Sequence, residues 1–461
     1  MGYRAYPEYE SSGDTWLGDV PRGWTVLRAD FLCESIKKQI SEDKLSGLEV
    51  FHYSIPVVQE LGTGRLESGD EIDSAKLLID QRQLLVSKLN PRKSTICLAD
   101  KQEQLTVASG EFIQISSSKI DIKYAYYTWL SDKVTKLLSS RVQSVTRSHQ
   151  RVAPEDIYKL NWAWPSRVEQ NAIANFLDDK TAQIDRLIEK KQELIEKLQE
   201  QRNAIITSAV TAGLNTKALT GSSRQKWLGD IPDHWKRNQK LNFLSTDDRN
   251  SFANGPFGSD LLTTELVDEG VPVIYSGDVK ETGFQRKSDK YVTEEKAKQL
   301  DFCRVDGGDI LLAKVGDPPG DACVYPIGQP SGVVTQDVVR IKVDKRTVDA
   351  EYLCFLLNSE YGRHLVRLVS VEATRGRFSL ADLKSIRHIL PPLEEQQEIV
   401  LHIHQQMKRC NQLSDLAIRE IEALQEYRTA LITAAVTGQI DVRDWQAPAS
   451  VKNAELDMEV A

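Results

Sequence analysis

WLGDVPRGW begins at Trp16, and WLGDIPDHW begins at Trp227, 211 residues later. Each half closes on a second shared stretch: RNAIITSAVTAG from Arg202 and RTALITAAVTGQ from Arg428, 226 residues apart. Fainter matches keep the same order between them. Tyr53-Ser54 answers Tyr275-Ser276. LLVSKLN from Leu84 answers ILLAKVG from Ile310, which pairs Lys88 with Lys314. ASGEFIQI from Ala108 answers VTQDVVRI from Val334. Chance does not keep one order and nearly one offset through so many short matches. The chain is a tandem duplication, and any fold assigned to it must occur twice.

Each copy has two parts. The first mixes short β-like runs with turn signals: QLLVSKL and DILLAKV are apolar and β-branched, and each is soon interrupted, by Asn90-Pro91 in one copy and Asp317-Pro318-Pro319-Gly320 in the other. Apolar spacing predicts one helix over 124–138 and its counterpart over 350–369. The second part is one long helix. From 168 to 210 there is neither Pro nor Gly, so about 40 residues can run roughly 60 Å at 1.5 Å per residue. Ile184, Lys191, Leu198 and Ile205 fall seven apart, as do Leu187, Leu194 and Gln201. The partner series in the second copy are Cys410, Ala417, Leu424, Leu431 and Leu413, Glu420, Tyr427. Two such stripes bury each other most simply by pairing within the chain. The expected fold class is therefore α+β: two tandem domains joined by two long helices packed as an antiparallel coiled coil, with pseudo-two-fold symmetry. The expected divisions are a first domain at 1–164, a central helix at 165–213, a linker at 214–226, a second domain at 227–390, a C-terminal helix at 391–438 and a tail at 439–461.

The 461 residues carry 59 Lys+Arg against 67 Asp+Glu, a formal charge of −8. That excludes a uniformly basic nucleic-acid coat but not a local basic surface. No apolar run approaches the roughly 20 residues of a bilayer span, and the first residues, MGYRAYPEYESSGD, lack the apolar core of a signal peptide. Six scattered cysteines with no CxxC fit a reducing cytoplasm and give no zinc site. The expectation is a cytoplasmic chain with no membrane partner.

Catalytic signatures are missing. There is no Walker A loop, HExxH, GxSxG or strand-linked GxGxxG. His402 and His404 are two apart on a predicted helix and point to different faces. GDPPG at 316–320 approaches the D/N-P-P-aromatic motif of amino-methyltransferases, but Gly320 stands where the stacking aromatic belongs, so the stretch reads as a turn. Glu294 and Lys296 have nuclease E-x-K spacing without the preceding metal-binding Asp, and read as charged helix surface. The expectation is no catalytic residue and no metal ligand.

What remains is basic sequence in loops. RVQSVTRSHQR holds Arg141, Arg147 and Arg151 with Ser148, His149 and Gln150 and no carboxylate. Lys88, Arg92 and Lys93 lie in a second acid-free stretch. VSVEATRGRFS, in the second copy, holds Thr374, Arg375 and Arg377, with Arg363 and Arg367 upstream. Basic residues without acidic neighbours suit phosphate contact, and Arg and Gln can read guanine and adenine edges in the major groove. The competing reading is a solvated loop whose arginines pair with carboxylates elsewhere. Ser259, Lys314 and Gln336 complete the candidate DNA-binding set.

At this point the chain resembles the DNA-specificity subunits of type I restriction-modification enzymes. The resemblance is carried by the two WLGD stretches, GPFGSDL at 255–261, GDILLAKVGDPPG at 308–320 and LPPLEEQQEIV at 390–400, with WPSRVEQNAIA at 164–174 as a weaker counterpart. The helix ends ITSAVTAG and ITAAVTG add to it. The first half lacks GPFGS. The resemblance implies two target-recognition domains, each reading half of a bipartite, asymmetric double-stranded DNA sequence, and helices that serve as spacer. It implies docking of two modification subunits, which hold S-adenosylmethionine and methylate adenine. Restriction subunits would bring ATP and Mg; this chain would hold no cofactor and catalyse nothing itself.

Two other readings compete. A self-contained methyltransferase or nuclease would bind S-adenosylmethionine or cut DNA as an isolated chain. A coiled-coil scaffold with protein-binding end domains would leave the complex's DNA binding indifferent to sequence.

Overall fold

The computed structural model describes residues 3–446 except 36, 147–148, 216, 224–227, 247, 249, 257–259, 317–318 and 371–375. The chain folds as two compact units, Met1–Gln192 with Ile418–Ala461, and Glu193–Ala417. Each contains one α+β domain, part of the helix that comes after it, and part of the other long helix.

The duplication is visible in sheet topology. In the first unit Gln83–Ser87 pairs antiparallel with Ile96–Ala99 on one side and Phe112–Ser116 on the other, and Glu34–Ser35 extends that sheet. All five residues of Gln83–Ser87 are buried, with the apolar centre Leu84, Leu85 and Val86 that a central strand requires. A second sheet runs in the order Gln39–Ile40, Lys76–Leu78, Leu105–Ala108, Glu49–Tyr53, Arg65–Ser68, with Leu105–Ala108 parallel to Glu49–Tyr53. The second unit repeats the plan. Ile310–Ala313, wholly buried, lies between Ala322–Val324 and Val338–Ile341, and Phe252–Asn254 completes the sheet. Val271–Ile274 pairs in parallel with Gly332–Val334.

The two single helices expected from apolar spacing are helix pairs. Ile122–Leu130 is followed by Asp132–Ser140, and Ala350–Asn358 by Glu360–Leu368. Ser131 (ψ 144) and Ser359 (ψ 162) are extended, and their side chains accept from Val134 N–H and Gly362 N–H. Each serine ends one helix and caps the next. The new N-terminus is seated on a long helix: Asp132 N–H donates to Thr433 Oγ1 at 3.1 Å, and Glu360 N–H to Thr207 Oγ1 at 3.2 Å. Spacing alone misses this, because the break costs no apolar position.

The long helices run Arg167–Ala212 and Leu393–Val436. In the first unit Lys191 pairs with Glu420 at 2.5 Å and Asp185 with Arg428 at 2.9 Å. One index rises as the other falls, so the helices are antiparallel. The two heptad series have different fates. Ile184, Leu198, Cys410, Ala417 and Leu431 are buried, whereas Leu187, Leu194, Leu413 and Tyr427 are exposed. One stripe makes the seam and the other faces outward.

The repeated motifs build the joint between domain and helix. Gln170 Oε1 accepts from Asp121 N–H at 2.8 Å while its Nε2 donates to Pro165 O at 2.9 Å. Gln396 does the same with Asp349 N–H and Pro391 O, both at 2.9 Å. Asp121 and Asp349 are themselves N-caps. The neighbouring carboxylates receive the second tryptophan of each WLGD stretch: Trp24 Nε1 donates to Glu169 at 3.2 Å and Trp235 Nε1 to Glu395 at 3.1 Å. The shared helix ends complete the joint. Val436 O accepts from Tyr124 OH at 3.2 Å and Val210 O from Tyr352 OH at 3.4 Å. Gly213 (φ +72) and Gly438 (φ +70) then turn the chain away in the left-handed region. A Cβ on Gly438 would lie 2.3 Å from Pro21 Cγ. The small residues of SAVTAG and AAVTG are therefore spent inside each unit; Ala209, Val210, Ala435 and Val436 are buried.

Candidate nucleic-acid interface

Two basic segments far apart in sequence meet in the first unit. Gln143–Thr146 and His149–Arg151 form a hairpin with an irregularity between Ser144 and Thr146. Arg151 bridges to Leu89, Asn90 N–H donates to Gln150 O at 2.8 Å, and Val152 N–H to Lys88 O at 3.0 Å. The strand Gln83–Ser87 thus continues into a loop that lies along the hairpin. Asn90 (φ +46) and Ser94 (φ +44) are left-handed and bracket the single turn Pro91–Lys93. That geometry holds Arg92 and Lys93 on an exposed knuckle. Ser94 Oγ fastens the knuckle to Thr135 Oγ1 at 2.6 Å. Lys88, Arg92, Lys93, Gln150 and Arg151 therefore belong to one surface. Arg147 and Ser148 lie outside the described residues, and of His149 only the backbone is described.

Part of that charge is already paired, as the solvated-loop reading expects. Arg151 Nη2 is 2.6 Å from Glu111 Oε1, Lys88 Nζ is 3.9 Å from Glu111 Oε2, and Arg141 Nη1 is 3.1 Å from Asp156. Lys93 Nζ reaches Gln59 Oε1 at 3.5 Å. The pairs are at the surface, where an ion pair adds about 0–1 kcal/mol, so they orient side chains more than they stabilise the fold.

The second unit uses the same device. Val315–Gly316, just past Lys314, pairs antiparallel with Gly376–Arg377. Lys314 N–H donates to Asp337 O at 2.8 Å, as Lys88 N–H donates to Glu111 O at 2.9 Å. Gln336 is half-buried on that same turn. Gly255 packs against the turn: its N–H donates to Thr335 O at 3.1 Å, and a Cβ there would lie 1.9 Å from Val334 O. Ser259, Thr374 and Arg375 lie outside the described residues, and of Arg377 only the backbone is described. Arg363 is not available for DNA. It is mostly buried, with Nη2 at 2.6 Å from Asp321 and 3.3 Å from Glu281.

Elsewhere the structure holds ordinary contacts. Lys296 pairs with Glu265 at 2.7 Å, and His404 Nε2 lies 2.7 Å from Glu351. Among the described residues no group of three or more His, Cys, Asp or Glu could hold a metal ion, and no helix is long and apolar enough to cross a membrane. The participant that sequence reasoning missed is Glu111. A scan along the chain for acid-free stretches cannot see a carboxylate delivered from a turn elsewhere in the sequence.

The family described as type I restriction modification DNA specificity domain matches residues 260–423. The StySPI type I restriction enzyme specificity subunit of Salmonella potsdam is 21% identical, over 93% of this chain and 92% of its own. The EcoKI specificity subunit of Escherichia coli K12 is 20% identical, over 93% and 92%. A solved structure from work on complex assembly and conformational transition of the type I R-M system superposes with TM-score 0.69 at 16% identity, covering 91% of this chain and 99% of that one. The HsdS subunit from Thermoanaerobacter tengcongensis gives 0.52 at 16% identity, covering 91% and 98%. At these identities the structural likeness establishes the fold.

Proposed function

We propose that this chain is a type I restriction-modification DNA specificity subunit, and that it reads a split, asymmetric DNA target, one half per α+β domain. The observation that carries the reading is the repeated junction of basic loops. In each unit a lysine-bearing loop after the central strand, at Lys88 or Lys314, is zipped by backbone pairing to an arginine-bearing segment, at Arg151 or Arg377. The frame is duplicated but the loop residues are not, so two different half-sites are expected. Lys88, Arg92, Lys93, Arg141, Arg147, Ser148, His149, Gln150 and Arg151 serve one half. Ser259, Lys314, Gln336, Thr374, Arg375 and Arg377 serve the other.

Chemistry is left to partners in this reading. Two methyltransferase subunits, which carry S-adenosylmethionine, dock on outward apolar residues of the long helices, one at Leu187 and Tyr427 in the first unit and one at Leu194 and Leu413 in the second, and restriction subunits bring ATP and Mg. The chain itself holds no cofactor and works in the cytoplasm. The test is selection of a preferred duplex from a random pool by the full-length chain with its modification subunits. Enrichment of one bipartite sequence supports the reading; a pool left without enrichment overturns it.

A further inference from the structure

We propose that Glu111 is a positioning residue that keeps Arg151 from acting as an unselective phosphate clamp and aims it at a base edge. The proposal rests on the DNA-reading function above. Glu111 sits on the turn between Leu105–Ala108 and Phe112–Ser116, beneath both basic segments. Its carbonyl receives Lys88 N–H, its Oε1 holds Arg151 Nη2 at 2.6 Å, and its Oε2 lies 3.9 Å from Lys88 Nζ.

Stability does not account for this carboxylate. The Arg151 side chain is 63% exposed, and an ion pair so wet contributes little. Oε2 is buried and has no hydrogen-bond partner among the described residues, an arrangement that costs stability. The second copy keeps an acid in the same place: Asp337 stands 226 residues on and receives the same backbone hydrogen bond from Lys314. Arginine carries five N–H donors, and Glu111 occupies one. The others stay directed from a hairpin strand, while the pair as a whole is electrically neutral. Phosphate attraction follows net charge, through released counterions; base reading follows donor direction. A neutralised, aimed arginine loses the first and keeps the second.

The test uses the full-length chain with its modification subunits. The probes are the duplex that the wild type selects from a random pool and a shuffled duplex of equal composition, each across a salt series. Glu111→Gln should tighten binding to the shuffled duplex and steepen its log–log salt slope by about 0.9. It should also lower discrimination by about fivefold, the low end of one base contact. With Arg151→Ala already present, Glu111→Gln should leave discrimination unchanged. Arg151→Lys gives a second route: charge is kept and the fork lost, so discrimination should fall at an unchanged salt slope. Unchanged discrimination in Glu111→Gln or in Arg151→Lys overturns the proposal, as does an equal Glu111→Gln loss with and without Arg151. A wild type that prefers no duplex overturns the DNA-reading function itself and is a separate result.

Discussion

The backbone N–H of Asn90 donates to the carbonyl of Gln150 at 2.8 Å, and Asn90 Oδ1 accepts in return from Gln150 N–H at 3.4 Å. Sixty residues separate the two. This reciprocal contact joins the knuckle to the hairpin and makes one basic surface from two segments. Asn90 is left-handed, a conformation Asn and Gly tolerate and Ala resists by roughly 1–2 kcal/mol. Asn90→Gly should loosen the junction slightly and Asn90→Ala more, read as faster amide exchange at Gln150 and Val152 and weaker DNA binding in the same order. Equal exchange in all three proteins would dismiss the junction as a structural determinant.

Replacing Arg147 and Arg151 together with Ala should weaken DNA binding by the complex, and so should replacing Arg375 and Arg377. Loss of phosphate contacts alone would lower affinity for every sequence and flatten the salt slope. Loss of base contacts would remove about 1–3 kcal/mol of discrimination per good bidentate pair. A folded variant with affinity, discrimination and slope all intact would contradict both forms.

Acid should destabilise the second unit through His388. Its ring is buried, Nδ1 lies 2.8 Å from Ile389 O, and Nε2 has no partner among the described residues. Burial pushes its pKa down from 6.5 to about 4. The unfolded chain then binds the proton first as pH falls, so stability is full above pH 6.5 and declines between there and about 4. The decline attributable to this group is about 3 kcal/mol. Burial lowers the pKa of His52 in the first unit too, which adds in the same direction. Denaturant midpoints across this range should fall less in His388→Leu; parallel curves would rule the histidine out.

The spacing of the half-sites should follow helix length, on the proposal that the paired helices are the spacer. Four-residue insertions after Gln192 and after Ala417, where the two helices pass between units, add one turn, roughly 6 Å, to each. DNA rises about 3.4 Å per base pair, so the motif should keep its two ends and lengthen its gap by one or two base pairs. The added turn and the longer gap rotate by different amounts, so activity should drop. Altered ends with an unaltered gap would refute the spacer role.

Much of the fold was legible because duplication shows itself in order and offset. WLGD, E-Q and AVT recur in both halves, and the structure assigns all three to the joint between domain and helix. Trp24, Glu169 and Gln170 meet there in one unit, and Trp235, Glu395 and Gln396 in the other. Seven-residue spacing likewise revealed two helices, although it did not tell the Ile184 seam from the outward Leu187 stripe. The breaks at Ser131 and Ser359 were illegible, since a serine within an apolar-spaced run looks like surface. The site was legible as residue types and not as a surface. Lys88 and Arg151 are adjacent only through strand pairing, and Glu111 reaches them from a third segment.

The central claim is that two unlike domains on one duplicated frame read two unlike half-sites. Methylome sequencing of cells with and without this chain, each with its modification subunits present, tests it most directly. The account predicts a methylation motif that appears with the chain, split by a gap, and not palindromic. A palindromic motif, or one that persists unchanged without the chain, would contradict it.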